Sequence, residues 1–148
     1  MRRKWISLLL AASMVLSPSY LFPGAAMALT EQDDSGYSTY ECEDGEVLGS
    51  AVVSTSFSGY TGDGSVVCGM VPVRGVTLSN VTVPEEGDYT VLIRYGQSNW
   101  SARTMYVYAN GNEADAQQVV FPKLKSWGLW DQIPVTVHLN AGVNTLTV

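Results

Sequence analysis

The sequence predicts an all-β domain folded as an antiparallel β-sandwich. Lys and Arg are scarce among the 148 residues, while Gly, Val, Thr and Tyr are common, a mix that favours strands and turns over helices. Short alternating runs are separated by Gly-, Pro- and Asn-rich segments at intervals of roughly a dozen residues, which is typical of a sandwich. No apolar period of 3.6 residues persists beyond a turn or two, so we expect no long helix.

The first 36 residues are predicted to lie outside this fold. Three basic residues precede an apolar run at 5–16 and a small-residue cleavage site, the pattern of a secretory signal peptide covering residues 1–28. The apolar run is too short for a membrane span. Residues 29–36 form an acidic, aperiodic leader that we expect to be flexible. We therefore predict a secreted, extracellular protein whose sandwich domain occupies residues 37–148.

The charge balance excludes one class of partner. The chain has 8 basic and 14 acidic residues, and three of the basic residues lie within the predicted signal peptide, which leaves a net charge of −9 for the remainder. No basic stripe remains to neutralise phosphates, so we expect no nucleic acid as a partner. The balance suits a protein that binds neutral sugars or uses cations.

Nine strands are predicted in the sandwich domain, at 37–43, 48–55, 65–71, 76–83, 88–95, 103–109, 117–121, 130–139 and 143–148. The clearest pair flanks the turn from Pro84 to Gly87, where proline fixes φ and glycine accepts a positive φ. The strand after that turn alternates and places four residues on one face, Tyr89, Val91, Ile93 and Tyr95. Asn-Gly at 110–111 and Ala-Gly at 141–142 are further turn signals, and each ends a strand.

The two cysteines, Cys42 and Cys68, fall in predicted strands. In an oxidising compartment they could form a disulfide that closes a loop of roughly 26 residues and stabilises the fold by about 3 kcal/mol in the chain-entropy model. The alternative is a pair of buried thiols. The sequence leaves both interpretations open.

An acidic pair near the start of the domain is a candidate metal site. If residues 40–44, Tyr-Glu-Cys-Glu-Asp, alternate along a strand, Glu41 and Glu43 point to one face and Cys42 to the other. Like charges placed in this way repel unless a cation lies between them, and oxygen ligands in irregular geometry favour calcium over magnesium. The alternative is a solvated acidic edge.

Recognisable catalytic motifs are missing from the sequence. The single histidine, His138, alternates with Val137 and Leu139, which places it on the outward face of its strand. There is no Gly-x-Ser-x-Gly elbow, no His-Glu-x-x-His motif and no glycine-rich phosphate loop. Glycoside hydrolysis needs only two carboxylates, but it also needs a deep cleft that a sandwich of this size rarely provides. We therefore predict a binding domain rather than an enzyme.

Aromatic residues in polar loops indicate sugar binding. Trp127 and Trp130 lie near a loop-to-strand transition, and we expect either that both are core residues or that Trp130 packs inward while Trp127 is exposed. Trp100 and Tyr60 lie in two further loops rich in polar residues or glycine. A flat ring stacks on the apolar C–H face of a pyranose, while amides and hydroxyls bond its polar groups.

Six short segments carry a family resemblance. They are Tyr-Glu-Cys-Glu-Asp at 40–44, Gly-Tyr-Thr-Gly-Asp-Gly at 59–64, Val-Pro-Glu-Glu-Gly-Asp-Tyr-Thr at 83–90, Ile-Arg-Tyr at 93–95, Ser-Trp-Gly-Leu-Trp at 126–130 and Leu-Asn-Ala-Gly-Val-Asn-Thr-Leu at 139–146. In this order they resemble segments of the carbohydrate-binding modules of family 35 and the related family 6. The order gives the resemblance a specificity that each segment alone lacks.

The resemblance implies a jelly-roll sandwich that binds a polysaccharide or oligosaccharide and attaches a polysaccharide-degrading enzyme to it, without catalysis of its own. It implies a structural calcium held by Glu41 and Glu43. It also implies a ligand site in the loops at one end of the sandwich, at the matching positions Tyr60, Asn99, Arg103 and Trp127. Trp127 would be the stacking platform, and a second calcium of the kind that some members use would involve Asp63.

The chain departs from the family pattern at its C-terminus, where the closing strand and its calcium ligand are missing. We therefore expect a fragment of a longer secreted enzyme, with a catalytic domain elsewhere in the parent protein. Two other functions stay open, a small secreted glycoside hydrolase or lyase domain and a cell-surface adhesion or protein-interaction domain. The loop composition does not select among mannan, galactose-containing chains, xylan and uronic acids.

Overall fold

The computed structural model of the protein describes residues 4–9, 37–68 and 74–148. The ten strands within these ranges are β1 (Lys4–Leu9), β2 (Glu46–Gly49), β3 (Val52–Ser54), β4 (Ser65–Val67), β5 (Arg74–Val83), β6 (Gly87–Tyr95), β7 (Arg103–Ala109), β8 (Gln117–Phe121), β9 (Asp131–Leu139) and β10 (Gly142–Thr147). Single turns of 3-10 helix occur at Cys42–Asp44 and Glu113–Asp115. Within the described ranges, no helix has the length and apolar character that a membrane crossing requires.

The strands form two main sheets that pack on each other, so the predicted β-sandwich is confirmed. One sheet has the strand order β2-β5-β10-β7-β8, the other has the order β1-β6-β9, and β3 and β4 form a separate pair. Strand β1 is parallel to β6, with Lys4 opposite Tyr89, whereas the other pairings are antiparallel. Strand β1 falls within the predicted signal peptide, whose cleavage site lies outside the described residues, as does the acidic leader.

Alternating residues of both sheets form one hydrophobic core. The predicted inward face of β6 is confirmed, because Tyr89, Val91, Ile93 and Tyr95 are all buried. They pack in one cluster with buried residues of the other strands, which include Val76, Leu78, Val81, Val83, Val107, Val119, Phe121, Val137, Leu139 and Leu146. Each aliphatic side chain of this kind contributes about 1.5–3 kcal/mol through burial, so this cluster holds the two sheets together.

The predicted strand at 37–43 is wrong. The structure has only isolated bridges at Ser38 and Glu41, and the chain then turns through Cys42–Asp44. In this turn the amide of Gly45 donates to the carbonyl of Cys42 at 3.1 Å. A strand needs a continuous ladder with a neighbour, and this segment has none, so its local hydrogen bonds set its conformation instead.

The predicted strand at 48–55 is divided into β2 and β3. Gly49 adopts a φ of +62°, and the amide of Ala51 donates to the carbonyl of Leu48 at 3.2 Å. A positive φ is incompatible with an extended strand and is readily adopted only by glycine, so the chain turns at this point.

Cys42 is buried in the core, and Cys68 is half-buried directly after β4. The two sequence interpretations, a disulfide and a pair of buried thiols, both stay predictions.

Candidate functional site

Three loops meet at one end of the sandwich. We call residues 55–64, between β3 and β4, the first loop; residues 96–102, between β6 and β7, the second loop; and residues 122–130, between β8 and β9, the third loop. All four sugar contacts implied by the resemblance lie in these loops or at their border, Tyr60, Asn99, Arg103 and Trp127. The fold therefore gathers them at one end, from segments far apart in the sequence.

Trp127 is the exposed aromatic ring of the third loop. Its side chain is 40% exposed. The half-buried ring of Phe57, from the first loop, stacks against it with ring centroids 5.1 Å apart and an interplanar angle of 24°. Phe57 thus covers one face of the indole while Trp127 stays partly exposed, an arrangement compatible with stacking on a sugar ring.

Trp130, three residues later, has a structural role. Its Nε1 donates to the carbonyl of Ser58 at 2.9 Å, and the Arg94 guanidinium lies 5.1 Å from the centroid of its ring. Gly59 has a φ of +89°, and a Cβ atom at Gly59 would lie only 2.7 Å from Trp130 Nε1. Trp130 is therefore half-buried beside an outward residue of β6, outside the core cluster, and it fastens the first loop to the third. The predicted exposure of Trp127 is confirmed, whereas the prediction that Trp130 packs into the sandwich is wrong.

Arg94 connects this region with the acidic pair. Its Nη2 donates to the carbonyl of Gly59 at 2.9 Å. Burial lowers the pKa of Arg94 from its ordinary value, and the carboxylate of Glu41 opposes that shift. From an outward position on β6, the guanidinium therefore bonds the backbone of the first loop and interacts with the charge of Glu41.

Gln97 organises the second loop. Its side chain is buried, and its Nε2 donates to the carbonyls of Phe121 at 3.0 Å and Ser101 at 3.3 Å. Its Oε1 accepts the backbone amide of Asn99 at 3.0 Å. The amide of Leu124, in the third loop, donates to the carbonyl of Gln97 at 2.8 Å. Because every polar atom of this buried amide is bonded, the loop has a defined shape.

The four implied sugar contacts are brought to one region by other residues. Tyr60, Asn99 and Arg103 are half-buried, and Arg103 pairs with Phe121 at the start of β7. The side chains that link the loops are Phe57, Arg94, Gln97 and Trp130. Sequence reasoning did not identify Phe57 or Gln97 as site residues. Neither has a local signal, because their roles depend on contacts between loops that are distant in sequence.

The acidic pair meets the first loop. Glu43 Oε1 accepts the backbone amides of Asp63 and Gly64, both at 3.0 Å, and the Thr61 hydroxyl donates to Glu41 Oε1 at 3.3 Å. The expected strand alternation is wrong here, since Glu43 lies in the 3-10 turn. Tertiary contacts bring the two carboxylates to the same place nevertheless. The side chain of Asp63 is exposed, and its backbone rather than its carboxylate makes this contact.

Gly62 leaves space between the two carboxylates. Its φ is +61°, and a Cβ atom there would contact Glu43 Oε1 and lie 2.8 Å from Glu41 Cδ. The buried Oε2 of Glu43 has no hydrogen-bond partner among the described residues. A buried carboxylate oxygen of this kind fits a hard cation. The described ranges contain no group of three or more His, Cys, Asp or Glu side chains suited to a metal.

His138 lies away from the loops, at the opposite end of the β6–β9 pair. It is exposed, as predicted, and stands directly opposite Asp88. Its Nδ1 is 3.0 Å from Asp88 Oδ1, and its Nε2 is 3.5 Å from Glu86 Oε1. The hydrogen bond with Asp88 is the main cause that raises the pKa of His138 above its ordinary value. These three side chains form a surface cluster at the end of the β6–β9 pair away from the loops.

No family model matches the chain. The chain is 33% identical over 107 residues to a 1,6-alpha-glucosyltransferase of Sporosarcina globispora, covering 72% of this chain and 8% of that enzyme. It is 36% identical over 107 residues to an exo-beta-D-glucosaminidase of Amycolatopsis orientalis, covering 72% of this chain and 10% of that enzyme. The chain thus spans about a tenth of the length of the curated relatives it matches.

Solved structures match nearly three quarters of the chain. A family 35 carbohydrate-binding module from Clostridium thermocellum superposes with a TM-score of 0.67 and 27% sequence identity, and the match covers 73% of this chain and 81% of that module. Other solved family 35 modules match over similar shares of both chains. The strand architecture and the ordered sequence segments agree with this similarity. The chain is therefore similar in fold and in sequence to the family 35 carbohydrate-binding modules, at 27–29% identity to three solved examples, and the similarity shows a non-catalytic domain that binds carbohydrate.

Proposed function

We propose that this module attaches a secreted polysaccharide-active enzyme to an α-1,6-linked glucan. The single observation that carries the proposal is the exposed indole of Trp127 supported by Phe57. The similarity to a 1,6-alpha-glucosyltransferase, of which the chain corresponds to only 8%, favours glucose units in this linkage and an accessory role beside a larger catalytic domain. Secretion is part of the proposal and rests on the signal-peptide pattern at residues 1–28.

The proposed contacts suit a neutral sugar. The free face of Trp127 would stack on the C–H face of a glucose unit. Around it, Tyr60, Asn99 and Arg103 offer a phenol, an amide and a guanidinium, which together supply donors and acceptors for the hydroxyl groups. Open sites of this type bind weakly to moderately, and we expect a dissociation constant in the millimolar to micromolar range, about −4 to −8 kcal/mol.

We further propose that Ca²⁺ binds between Glu41 and Glu43. Its support is the space beside Gly62 and the buried Glu43 Oε2. The ion would supply positive charge between the two carboxylates. Glu43 already holds the backbone of the first loop at residues 63–64, so neutralising its charge would stabilise the loop that carries Phe57 and Tyr60. A second calcium near Asp63 stays a prediction.

The proposal is tested by replacing the stacking ring. We expect Trp127→Ala to raise the dissociation constant for isomalto-oligosaccharides tenfold to a hundredfold, about 1.4–2.8 kcal/mol, as measured by isothermal titration calorimetry. Leu129→Ala is the matched control, because Leu129 lies in the same loop and is 46% exposed. We expect it to bind as the wild type does, and the melting temperatures of both variants should stay close to that of the wild type.

Two results would contradict the proposal. Equal affinities for Trp127→Ala and the wild type would show that the sugar binds elsewhere. Retention of the wild type on immobilised chitosan but not on dextran would replace the glucan with a glucosamine polymer, the chemistry that the similarity to a glucosaminidase favours. The negative charge of the domain would support binding of that cationic polymer.

A further inference from the structure

The second loop presents an aromatic ring that the described site does not use. Trp100 is 96% exposed, the highest exposure among the large hydrophobic residues that the structure describes. Single exposed apolar residues are common on protein surfaces, so exposure alone carries little weight. Two further features point to a role for Trp100. Hydrogen bonds hold the loop around it, and the same loop is attached to the third loop.

The backbone on both sides of Trp100 is fixed by one buried side chain. Gln97 Oε1 accepts the amide of Asn99 at 3.0 Å, and Gln97 Nε2 donates to the carbonyl of Ser101 at 3.3 Å. The residues immediately before and after Trp100 are therefore held by the same amide group. The indole projects from an ordered loop rather than from a loose one, so little conformational freedom is lost when a ligand covers it.

The same loop is bonded to the loop that carries Trp127. The amide of Leu124 donates to the carbonyl of Gln97 at 2.8 Å, and the Ser98 hydroxyl donates to the carbonyl of Leu124 at 3.3 Å. Trp100 and Trp127 each lie three residues from this junction. Each three-residue segment spans at most about 10 Å, so the Cα atoms of the two tryptophans lie within roughly 25 Å of each other, a distance that an oligosaccharide of several units can cover.

We infer that Trp100 is a second stacking platform, and that the site takes a stretch of several linked sugars rather than a single terminal unit. This inference rests on the proposed function. One glucose unit would stack on Trp127 and a unit further along the chain on Trp100. Asn99 and Ser101, which flank the second ring, are polar residues suited to hydroxyl groups, and neither carries a charge that would select a charged sugar.

The inference predicts that affinity depends on chain length. Calorimetric titration of the wild type with isomalto-oligosaccharides from the disaccharide to the heptaose should show affinity rising by about tenfold with length. Trp100→Ala should bind the disaccharide as the wild type does and lose most of that gain, while Trp100→Phe should keep it. A parallel titration with glucosamine oligosaccharides tests the same length dependence for the alternative ligand, a glucosamine polymer.

Tyr106→Ala is the matched control, because Tyr106 is an exposed aromatic residue on β7, at 57% exposure, outside the three loops. It should match the wild type at every length. A Trp100→Ala variant whose affinities equal those of the wild type throughout would overturn the second platform and leave the first intact. A wild type that binds neither series at any length would overturn the proposed glycan binding itself, together with this inference.

Discussion

Trp127 and Trp130 show how two identical residues take different roles in one loop. Trp127 stacks on Phe57 and remains 40% exposed, whereas Trp130 donates its indole N–H to Ser58 and lies under Arg94. The difference comes from their partners and not from their spacing. In the proposed function Trp127 binds the sugar and Trp130 supports the loops, so we expect substitution of Trp127 to remove affinity while the contacts of Trp130 with Ser58 and Arg94 remain.

His138 provides a test of surface electrostatics. Its pKa is raised above 6.5, first through the hydrogen bond to Asp88 and also by Glu86. A raised folded-state pKa stabilises the protein fully below the unfolded value, and the contribution is lost as the pH rises through the folded value. We expect the wild type to melt at a higher temperature than His138→Gln at about pH 5.5, and this advantage to disappear by about pH 8.5.

Thermal unfolding of both proteins across this pH range would measure the effect, which should be small because the pair is exposed to solvent. A difference in melting temperature that stays constant with pH would show that the contacts of His138 with Asp88 and Glu86 do not contribute through its charge.

The orientation of a side chain was predictable where strand alternation determines it. The role of a side chain was not predictable where it depends on a contact between distant segments. The outward position of His138 and the inward face of β6 follow from period-two alternation. Gln97 is different, because a buried glutamine is recognisable only once Phe121 and Ser101 are known to lie beside it. The same holds for Phe57, which becomes a site residue only through the third loop.

The turn between β9 and β10 depends on the buried side-chain amide of Asn144, which is 1% exposed. Its Oδ1 accepts Asn110 Nδ2 at 2.8 Å and the amide of Asn140 at 2.9 Å, and its Nδ2 donates to the carbonyls of Asn140 at 2.8 Å and Gly142 at 3.0 Å. One side chain thus joins the end of β9, the turn that follows and the turn after β7.

Replacing this amide should therefore weaken the whole sandwich. We expect Asn144→Ala to lower the free energy of unfolding by about 1–3 kcal/mol, because it leaves buried polar groups without partners. Urea denaturation would measure the loss. Val143→Ala is the control, since Val143 is adjacent and 68% exposed, and its effect should stay within about 0.5 kcal/mol. Equal effects of the two substitutions would contradict the role assigned to Asn144.

The strands most accurately predicted are those bounded by strong turn signals. Strands β7 and β8 match their predicted bounds, and β6 and β9 differ from theirs by one residue at a single end. The predicted strand at 37–43 failed although its residues alternate, because a strand exists only where a neighbouring strand completes its ladder. Alternation predicts which residues of a segment share a face, but it does not show that a neighbouring strand is present to pair with that segment.

Calcium bound by Glu41 and Glu43 should stabilise the whole molecule against unfolding. Calcium at about a hundred times its dissociation constant should add roughly 2.7 kcal/mol to the free energy of unfolding. Glu43→Gln should reduce this gain strongly, whereas Glu113→Gln, which changes an exposed carboxylate elsewhere, should leave it unchanged. Differential scanning calorimetry in calcium and in chelator would compare the proteins, and identical wild-type melting curves in both solutions would remove calcium from the proposal.

The sandwich architecture was predictable from the sequence, but the arrangement of its strands was not. Regular turns and alternation favour two packed sheets. They do not specify that β10 lies between β5 and β7, or that β1 runs parallel to β6. The meeting of Glu41 and Glu43 with Gly62 is likewise a property of the folded chain, although the family resemblance had already marked both glutamates.

The hydrogen bonds that join the three loops also have a kinetic consequence. Because Trp130, Arg94 and Gln97 fix the loops before any sugar arrives, little rearrangement should precede capture, and differences among ligands should lie mainly in their dissociation rates. In the proposed function, weak contacts that form and break quickly would let an attached enzyme release one stretch of polymer and bind the next. Such an anchor would raise the local concentration of substrate while leaving the enzyme free to travel across it.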